Sequence, residues 1–185
     1  MARPDRSRAA LVAAAASLLQ EQGYAAMSTS SVIARSGATV GSLYHHFPGG
    51  KAELAVAAVQ ASGEAVELSL RRALDGQDVG NGLQRWIEAL ADRLDQNPLL
   101  GCPVAPAATE AAFVDDGLRT AAAAALDRWG AAIADALGTP AAPARDTAVA
   151  VLSLVEGALL LSRAQRSSAP LRAVLPAVRA VLAAA

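Results

Sequence analysis

Residues 28–47 of the chain read STSSVIARSGATVGSLYHHF. The hydroxyl residues at the start of this stretch are typical of a helix N-terminus, and Gly37 is placed to end the short helix that follows. Thr39 is placed to cap a second short helix, of about Val40 to His46. The pattern therefore predicts two short helices joined by the tight turn Gly37-Ala38-Thr39, which is the helix-turn-helix arrangement.

The second helix of such a motif enters the major groove of DNA with its first residues at the base edges. Here it would present hydroxyl groups, an imidazole and the methyl groups of Val40, while Leu43 and Phe47 face inward. Lys51 begins the next helix and is placed to meet a phosphate. An ordinary helical hairpin in a globular core has the same spacing, and spacing alone favours neither interpretation.

The adjacent pair His45-His46 suggests a metal site only at first sight. Neighbouring helical residues point about 100° apart, and no acid or thiolate is close in the sequence. We therefore expect no metal at this pair.

The charge of the chain is unevenly distributed. Residues 1–51 carry five basic and two acidic side chains, whereas the rest carries 11 basic and 15 acidic ones. The basic N-terminal part, here called the head, therefore differs from the acidic remainder of the chain. This difference indicates that only the head contacts a polyanion.

The composition of the 185 residues favours helices, because 54% are hydrophobic, only 3% are aromatic and alanine dominates. We predict an all-α fold of about nine helices. Cys102 is the only cysteine, so an intrachain disulfide is excluded and a reducing cytosol fits. The longest apolar stretch, residues 148–161, is shorter than the ~20 residues of a membrane span. We therefore expect a soluble, cytoplasmic protein that does not bind a membrane.

Three segments, Gly23-Tyr24, Val32–Thr39 and Gly41–Leu54, closely resemble the TetR family of transcriptional regulators. The run LYHHFPGGK at 43–51 is highly specific, and its two glycines, like Gly101-Cys102-Pro103-Val104, resemble the LmrA/YxaF-like branch. The strong resemblance covers about the first third of the chain. It implies a helix-turn-helix DNA-binding domain at residues 1–50 and a helical ligand-binding and dimerisation domain at residues 51–185.

The resemblance also implies which residues lie at the DNA. Tyr44 and Lys51 would hold phosphates, and Thr39 and Ser42 would approach bases. Val40 stands where family members often have Lys or Arg, so a cationic contact is lost and a thymine methyl group becomes a natural partner. The complete predicted DNA-binding set is Ser28, Thr29, Thr39, Val40, Ser42, Tyr44, His45 and Lys51.

The resemblance implies a homodimer, and the last two long segments are apolar over broad faces that suit one. These faces could equally close the core of a monomer. In a dimer, two heads one helical turn of DNA apart would read a palindromic operator in double-stranded DNA.

Candidates for a ligand pocket are side chains that are large, polarisable or polar among apolar neighbours. Each is more often plain core. Glu156 is the strongest candidate, because a carboxylate that is buried needs a partner for its charge, either an arginine or a ligand. Cys102 is more often a small hydrophobe than a redox sensor. The predicted set is Trp86, Leu90, Cys102, Phe113, Leu126, Trp129 and Glu156.

These observations predict a repressor that a small apolar or aromatic effector releases from its operator. An enzyme is disfavoured, because the sequence has no Gly-rich phosphate loop, no metal-spaced His or Cys set and no evident nucleophile–base pair. No cofactor is expected. A helical scaffold without DNA binding is the third interpretation.

Overall fold

Helices make up nearly all of the chain that the structure describes. The computed structural model describes residues 3–98, 100–110, 115–138 and 142–184, and within these residues there are helices and no strand. The predicted all-α class is confirmed. The helices are α1 (Arg3–Ala26), α2 (Thr29–Ser36), α3 (Val40–His46), α4 (Lys51–Leu74), α5 (Val79–Gln96), α6 (Ala105–Thr109), α7 (Asp116–Ala136), α8 (Ala142–Gln165), α9 (Ala169–Ala173) and α10 (Leu175–Ala183).

Helix α1 is interrupted near its end by Gly23, whose backbone has φ 81° and ψ 174°. The sequence predicts a helix from about Asp5 to Gln22 with Gly23 at its C-terminal cap, and the kink lies at that position. An L-residue rarely adopts this positive φ, which is why glycine is needed here. The sequence also predicts an apolar stripe on this helix, formed by Leu11, Ala15, Leu18 and Leu19, and all four side chains are buried.

Two prolines divide the end of the chain into separate helices. The sequence predicts one helix over residues 171–182, kinked or delayed by Pro176. In the structure α9 ends at Ala173 and α10 begins at Leu175, with Pro170 and Pro176 each in the first turn of its helix. Proline is tolerated there because the amide hydrogen it lacks has no intrahelical acceptor. This break adds one helix to the nine expected.

Helices α4 and α5 differ in how well their limits follow from the sequence. Helix α4 has the predicted limits, whereas α5 begins four residues before the predicted start at Leu83. Asp78 caps α5 by accepting a hydrogen bond from the Asn81 amide at 3.0 Å. The glycines and aspartates of residues 75–82 predict a loop here instead.

The described chain divides into two compact units. One contains the residues up to Glu64 together with Pro103–Ala125, and the other contains Ala65–Cys102 and Leu126–Ala185. Within the first unit α1 packs against α2, α3 and α6, and within the second α9 and α10 each pack against α5 and α8. The units do not follow the predicted division at residue 50, because α4 contributes to both. That division, which concerns function, stays a prediction.

Helix α8 is long and apolar enough, by length and composition, to cross a membrane, with a mean hydropathy of 1.6 over its most apolar window. The expectation that no stretch is long enough therefore does not hold for the complete helix. Length and composition are weak evidence for a membrane span, because a core helix of a soluble protein can be equally long and apolar. Helix α8 packs against α9 and α10 and carries Arg145 and Glu156.

Candidate nucleic-acid interface and ligand cavity

Helix α2 is fixed at both ends by its own side chains and backbone. Ser28 and Ser31 form a capping box, in which the Ser28 Oγ accepts from the Ser31 amide and the Ser31 Oγ accepts from the Ser28 amide, both at 3.1 Å. Gly37 ends the helix in the left-handed region, at φ 67°, and its amide donates to the Ile33 carbonyl at 3.0 Å. These hydrogen bonds at the two ends stabilise α2, because a helix of only eight residues is marginally stable by itself.

Helix α3 presents one side to solvent and buries the other. The Thr39 Oγ1 accepts from the Ser42 amide at 3.1 Å and caps the helix. Leu43 and the following Phe47 are buried, whereas Val40 is 58% exposed and Tyr44 is 51% exposed. In a helix-turn-helix the exposed side of the second helix is the side that faces DNA.

Helix α1 supports α3 through contacts that the sequence does not reveal. The Ser7 and Ser42 hydroxyls lie within hydrogen-bonding distance, at 2.5 Å. The Arg8 guanidinium lies over the Phe47 ring, with its Cζ 5.3 Å from the ring centroid. Ser7 and Arg8 are thus additional candidates for the interface, and neither has a local signal, because the contacts span more than 30 residues.

Lys51, which is partly buried, places its ammonium group beside the last turn of α1. Its Nζ lies 3.4 Å from the Ala25 carbonyl oxygen, to which it donates, and 4.3 Å from the centroid of the Tyr24 ring. An ammonium group has three donors, so this placement leaves hydrogens for a phosphate. Lys51 also fixes the turn, a role that the sequence does not predict.

Glu110, which directly follows α6, contacts the same last turn of α1. Its Oε2 accepts hydrogen bonds from the amides of Tyr24 at 2.9 Å and of Ala25 at 3.3 Å. A side chain added at Gly23 would collide with this carboxylate. The last turn of α1, after the kink at Gly23, is therefore held by a carboxylate and an ammonium group from distant parts of the chain, all within one compact unit.

The eight predicted DNA-binding residues all lie in or next to α2, α3 and the start of α4. Among them Ser28, Thr39, Val40, Tyr44 and His45 are exposed, whereas Thr29, Ser42 and Lys51 are partly buried. The Thr39 Oγ1 accepts from a backbone amide, which leaves its hydroxyl hydrogen for a phosphate or a base, whereas the Ser28 hydroxyl already donates to the Ser31 Oγ at 3.1 Å. Their contact with DNA stays a prediction.

A cavity of about 690 Å³ lies between α7 and α8, inside the second compact unit. Its walls combine apolar side chains with a few charged ones. At Gly130 the two helices come close, since a Cβ there would lie 3.6 Å from the Leu152 Cδ1. The lining residues are Leu126, Asp127, Gly130, Ala131, Ala134, Asp135, Arg145, Val149, Leu152, Ser153 and Glu156.

Glu156 is the half-buried acid of this cavity. Burial raises the pKa of its carboxyl group above the ordinary value, and a hydrogen bond with Cys102 offsets part of that rise. The raised pKa fits a carboxylate that lacks a nearby positive charge.

The other predicted pocket residues are distributed more widely. Leu126 lines the cavity with Glu156, and the buried Cys102 reaches it only through its hydrogen bond with Glu156. Trp86 and Trp129 are buried core residues, and Leu90 is half-buried. Phe113 lies outside the described residues. Whether any of these residues binds a ligand stays a prediction.

Metal-ligating side chains do not gather in the part of the chain that the structure describes. No group of three or more His, Cys, Asp or Glu residues there is placed to hold an ion. His45 and His46 contact each other edge to face, with ring centroids 5.0 Å apart.

Known families match two parts of this chain, the region of the helix-turn-helix and the C-terminal helices. Residues 11–58 match the family described as bacterial regulatory proteins of the tetR family, and residues 80–176 match the transcriptional regulator LmrA/YxaF-like C-terminal domain. An uncharacterized HTH-type transcriptional regulator of Mycobacterium tuberculosis is 37% identical, over 95% of this chain and 93% of its own. The HTH-type transcriptional regulator LmrA of Bacillus subtilis is 32% identical, over 89% and 90%.

A solved structure shows the same fold. The TetR-family transcriptional regulator of Cytophaga hutchinsonii superposes with a TM-score of 0.84 at 23% identity, covering 100% of this chain and 96% of that one. Fold and helix-turn-helix together define a class of protein, the DNA-binding transcriptional regulators. Within that class, the chain belongs to the TetR family, in its LmrA/YxaF-like branch. Members of this family are transcriptional regulators rather than enzymes.

Proposed function

We propose that this chain is a cytoplasmic repressor that binds a palindromic operator as a homodimer and leaves it when a small apolar or aromatic effector binds. The observation that carries the DNA-binding part is the outward face of α3, where Val40 and Tyr44 are exposed over a buried Leu43. Both ends of α2 and the start of α3 are capped, so this face is held ready before DNA arrives.

The surface of α8 supports the homodimer. Leu160 is 70% exposed and Leu161 is also exposed, although both are apolar. Gly157 lies about one turn before them with open space around it, so another helix has room to approach. A second copy of the same face would bury these side chains in a two-fold interface.

The cavity between α7 and α8 supports the effector. Its volume is within the range of small-molecule sites, about 300–1,000 Å³. Helix α4 runs from Lys51, beside the predicted DNA-binding surface, into the unit that contains the cavity. An effector that favours a different head separation would act through this helix and lower operator affinity.

The first test is a mobility-shift assay on the DNA upstream of the chain's own gene. We expect a salt-sensitive shift. Tyr44→Phe and Lys51→Gln should each weaken binding to specific and nonspecific DNA alike, and Lys51→Gln should lower the slope of log K against log salt by about one. Gln60→Ala, an exposed change farther along α4, is the matched control and should bind normally.

The scaffold interpretation predicts the opposite result. A chain that keeps its helix content but shifts neither this DNA nor any nearby promoter would overturn the repressor proposal. So would DNA binding that Tyr44→Phe and Lys51→Gln leave unchanged, because the proposed surface would then not be the one used.

A further inference from the structure

The cavity between α7 and α8 is lined partly by apolar side chains and partly by charged side chains, most of which are acidic. Leu126, Val149 and Leu152 supply the large apolar side chains. Asp127, Asp135 and Glu156 supply three carboxyl groups, and Arg145 supplies the single basic group of the lining. Asp135 is already paired with Arg71, at 3.3 Å. The charge left in the cavity is therefore negative.

Glu156 differs from the other two acids because its side chain is withdrawn from solvent. Asp127 and Asp135 are exposed, whereas Glu156 is half-buried and has the raised pKa of a desolvated carboxyl group. Its hydrogen-bond partner is the Cys102 thiol, which is a weak donor. Among the described residues no cation forms an ion pair with Glu156.

Arg145 is too far along the helix to neutralise Glu156. Both residues lie on α8, eleven positions apart, and a helix rises about 1.5 Å per residue, which separates them by about 16 Å along the axis. Arg145 therefore lies near one end of the lining and Glu156 near the other. A half-buried carboxylate without an opposite charge is costly, and a ligand that supplies the charge recovers that cost.

We propose that the effector of this cavity is an organic cation, with an apolar or aromatic body against Leu126, Val149 and Leu152 and an amine or quaternary ammonium group against the Glu156 carboxylate. This rests on the proposed function only in using the same cavity. An amine donates a charge-assisted hydrogen bond to the carboxylate, about twice as strong as a neutral one. A neutral ligand of the same shape lacks that bond, and an anionic ligand is repelled by the negative charge that remains in the cavity.

The test is a charge series on one body, measured by calorimetry with the DNA-free protein at neutral pH. The probes are 2-(1-naphthyl)ethylamine, 2-(1-naphthyl)ethanol and 1-naphthylacetate. We expect the wild-type chain to bind the amine at least about tenfold more tightly than the alcohol, and the carboxylate least of all. This series needs no variant and so does not depend on the folding of one.

Two variants test whether Glu156 supplies the negative charge that the amine contacts. Glu156→Gln keeps the size of the side chain and should bring the amine down to the affinity of the alcohol. Asp146→Asn removes one negative charge from an exposed position on α8 outside the cavity lining, and it should keep the preference for the amine. Circular dichroism and thermal melting of both variants check that they fold.

Several results would overturn the proposal: equal binding of amine and alcohol, tightest binding of the carboxylate, no binding of any probe, or an undiminished preference for the amine in Glu156→Gln. Operator binding is measured separately by mobility shift. A chain that shifts its operator but shows no preference for the amine contradicts the organic cation alone. A chain that prefers the amine but shifts no DNA contradicts the repressor.

Discussion

Val40 is the first residue of α3, and its side chain is 58% exposed. A cation at this place would contact phosphate or guanine, whereas an isopropyl group contacts apolar surface. The apolar group that the major groove offers is the thymine methyl. We expect Val40 to lie against a thymine methyl in each half-site.

This contact can be tested by removing the methyl group alone. Replacing the relevant thymine with deoxyuridine should weaken operator binding about fourfold, since one buried methyl-sized group is worth about 0.8 kcal/mol. In Val40→Ala the difference between thymine and deoxyuridine should shrink. Deoxyuridine outside the half-sites is the control. If no thymine in a half-site is sensitive, Val40 does not read the base.

At the scale of single residues, the sequence predicts what depends on nearby residues and misses what depends on distant ones. The caps at Ser28 and Thr39 follow from local chemistry and are confirmed by their hydrogen bonds. The contact of Ser42 with Ser7 and the hold of Glu110 on Tyr24 join residues 35 and 86 positions apart. No local spacing encodes such pairs, so they cannot be predicted from the pattern of one segment.

At the scale of elements, the last turn of α1 depends on the residue that follows α6. Glu110 supplies the acceptor for two amides of that turn, at Tyr24 and Ala25. Removing the acceptor leaves both amides to water and frees the turn that precedes α2. Glu110→Ala should therefore loosen the helix-turn-helix although Glu110 lies on neither of its helices.

We expect Glu110→Ala to lower the melting temperature by about 2–4 °C, corresponding to about 1 kcal/mol, and to weaken operator binding. Glu110→Gln keeps one acceptor oxygen and should recover part of both losses. Glu64→Ala, at an exposed position in the same compact unit, is the control. Unchanged melting and operator binding in Glu110→Ala would show that the turn does not need this carboxylate.

Helix limits show the same division between local and distant causes. Residue chemistry alone predicts a break at Gly23, where the structure has a kink in place of the expected helix end, and a break near Pro176, where α10 begins. The start of α5 is missed, because Gly80 and Gly82 suggest a loop. Gly82 is in the helix for a packing reason, since a Cβ there would lie 2.7 Å from the Ala73 carbonyl oxygen. Such close approach appears only in the folded chain.

At the scale of the molecule, the proposed dimer makes a prediction about two exposed leucines. Leu160→Glu, on α8, should weaken dimerisation at least about a hundredfold, because an uncompensated buried charge costs about 3 kcal/mol or more and occurs twice in a two-fold interface. Leu68→Glu, on α4, places the same charge on another exposed leucine and should leave the dimer intact. Light scattering coupled to gel filtration measures both.

Operator binding should follow the oligomeric state, since a single head engages only one half-site. We expect Leu160→Glu to lose high-affinity operator binding and to keep weak nonspecific binding. A Leu160→Glu protein that remains dimeric would place the interface elsewhere, and a monomeric wild-type chain would contradict the homodimer itself.

The division of the molecule into two units was not predictable from any single motif. The unit that contains the helix-turn-helix is made of two separate stretches, because Pro103–Ala125 joins the residues up to Glu64. Composition and charge mark only the first stretch as distinct. The link between the two stretches lies in the packing of α6 on α1 and in the hydrogen bonds of Glu110.

This discontinuity affects how the protein is made and how it can be engineered. During translation the unit that contains the helix-turn-helix lacks α6 and Glu110 until the ribosome has passed residue 110, well after the helix-turn-helix has emerged. A nascent or truncated chain ending at residue 64 is consequently an incomplete head. A chimera that moves this head to another regulator needs two junctions on the donor chain, so that Pro103–Ala125 travels with it.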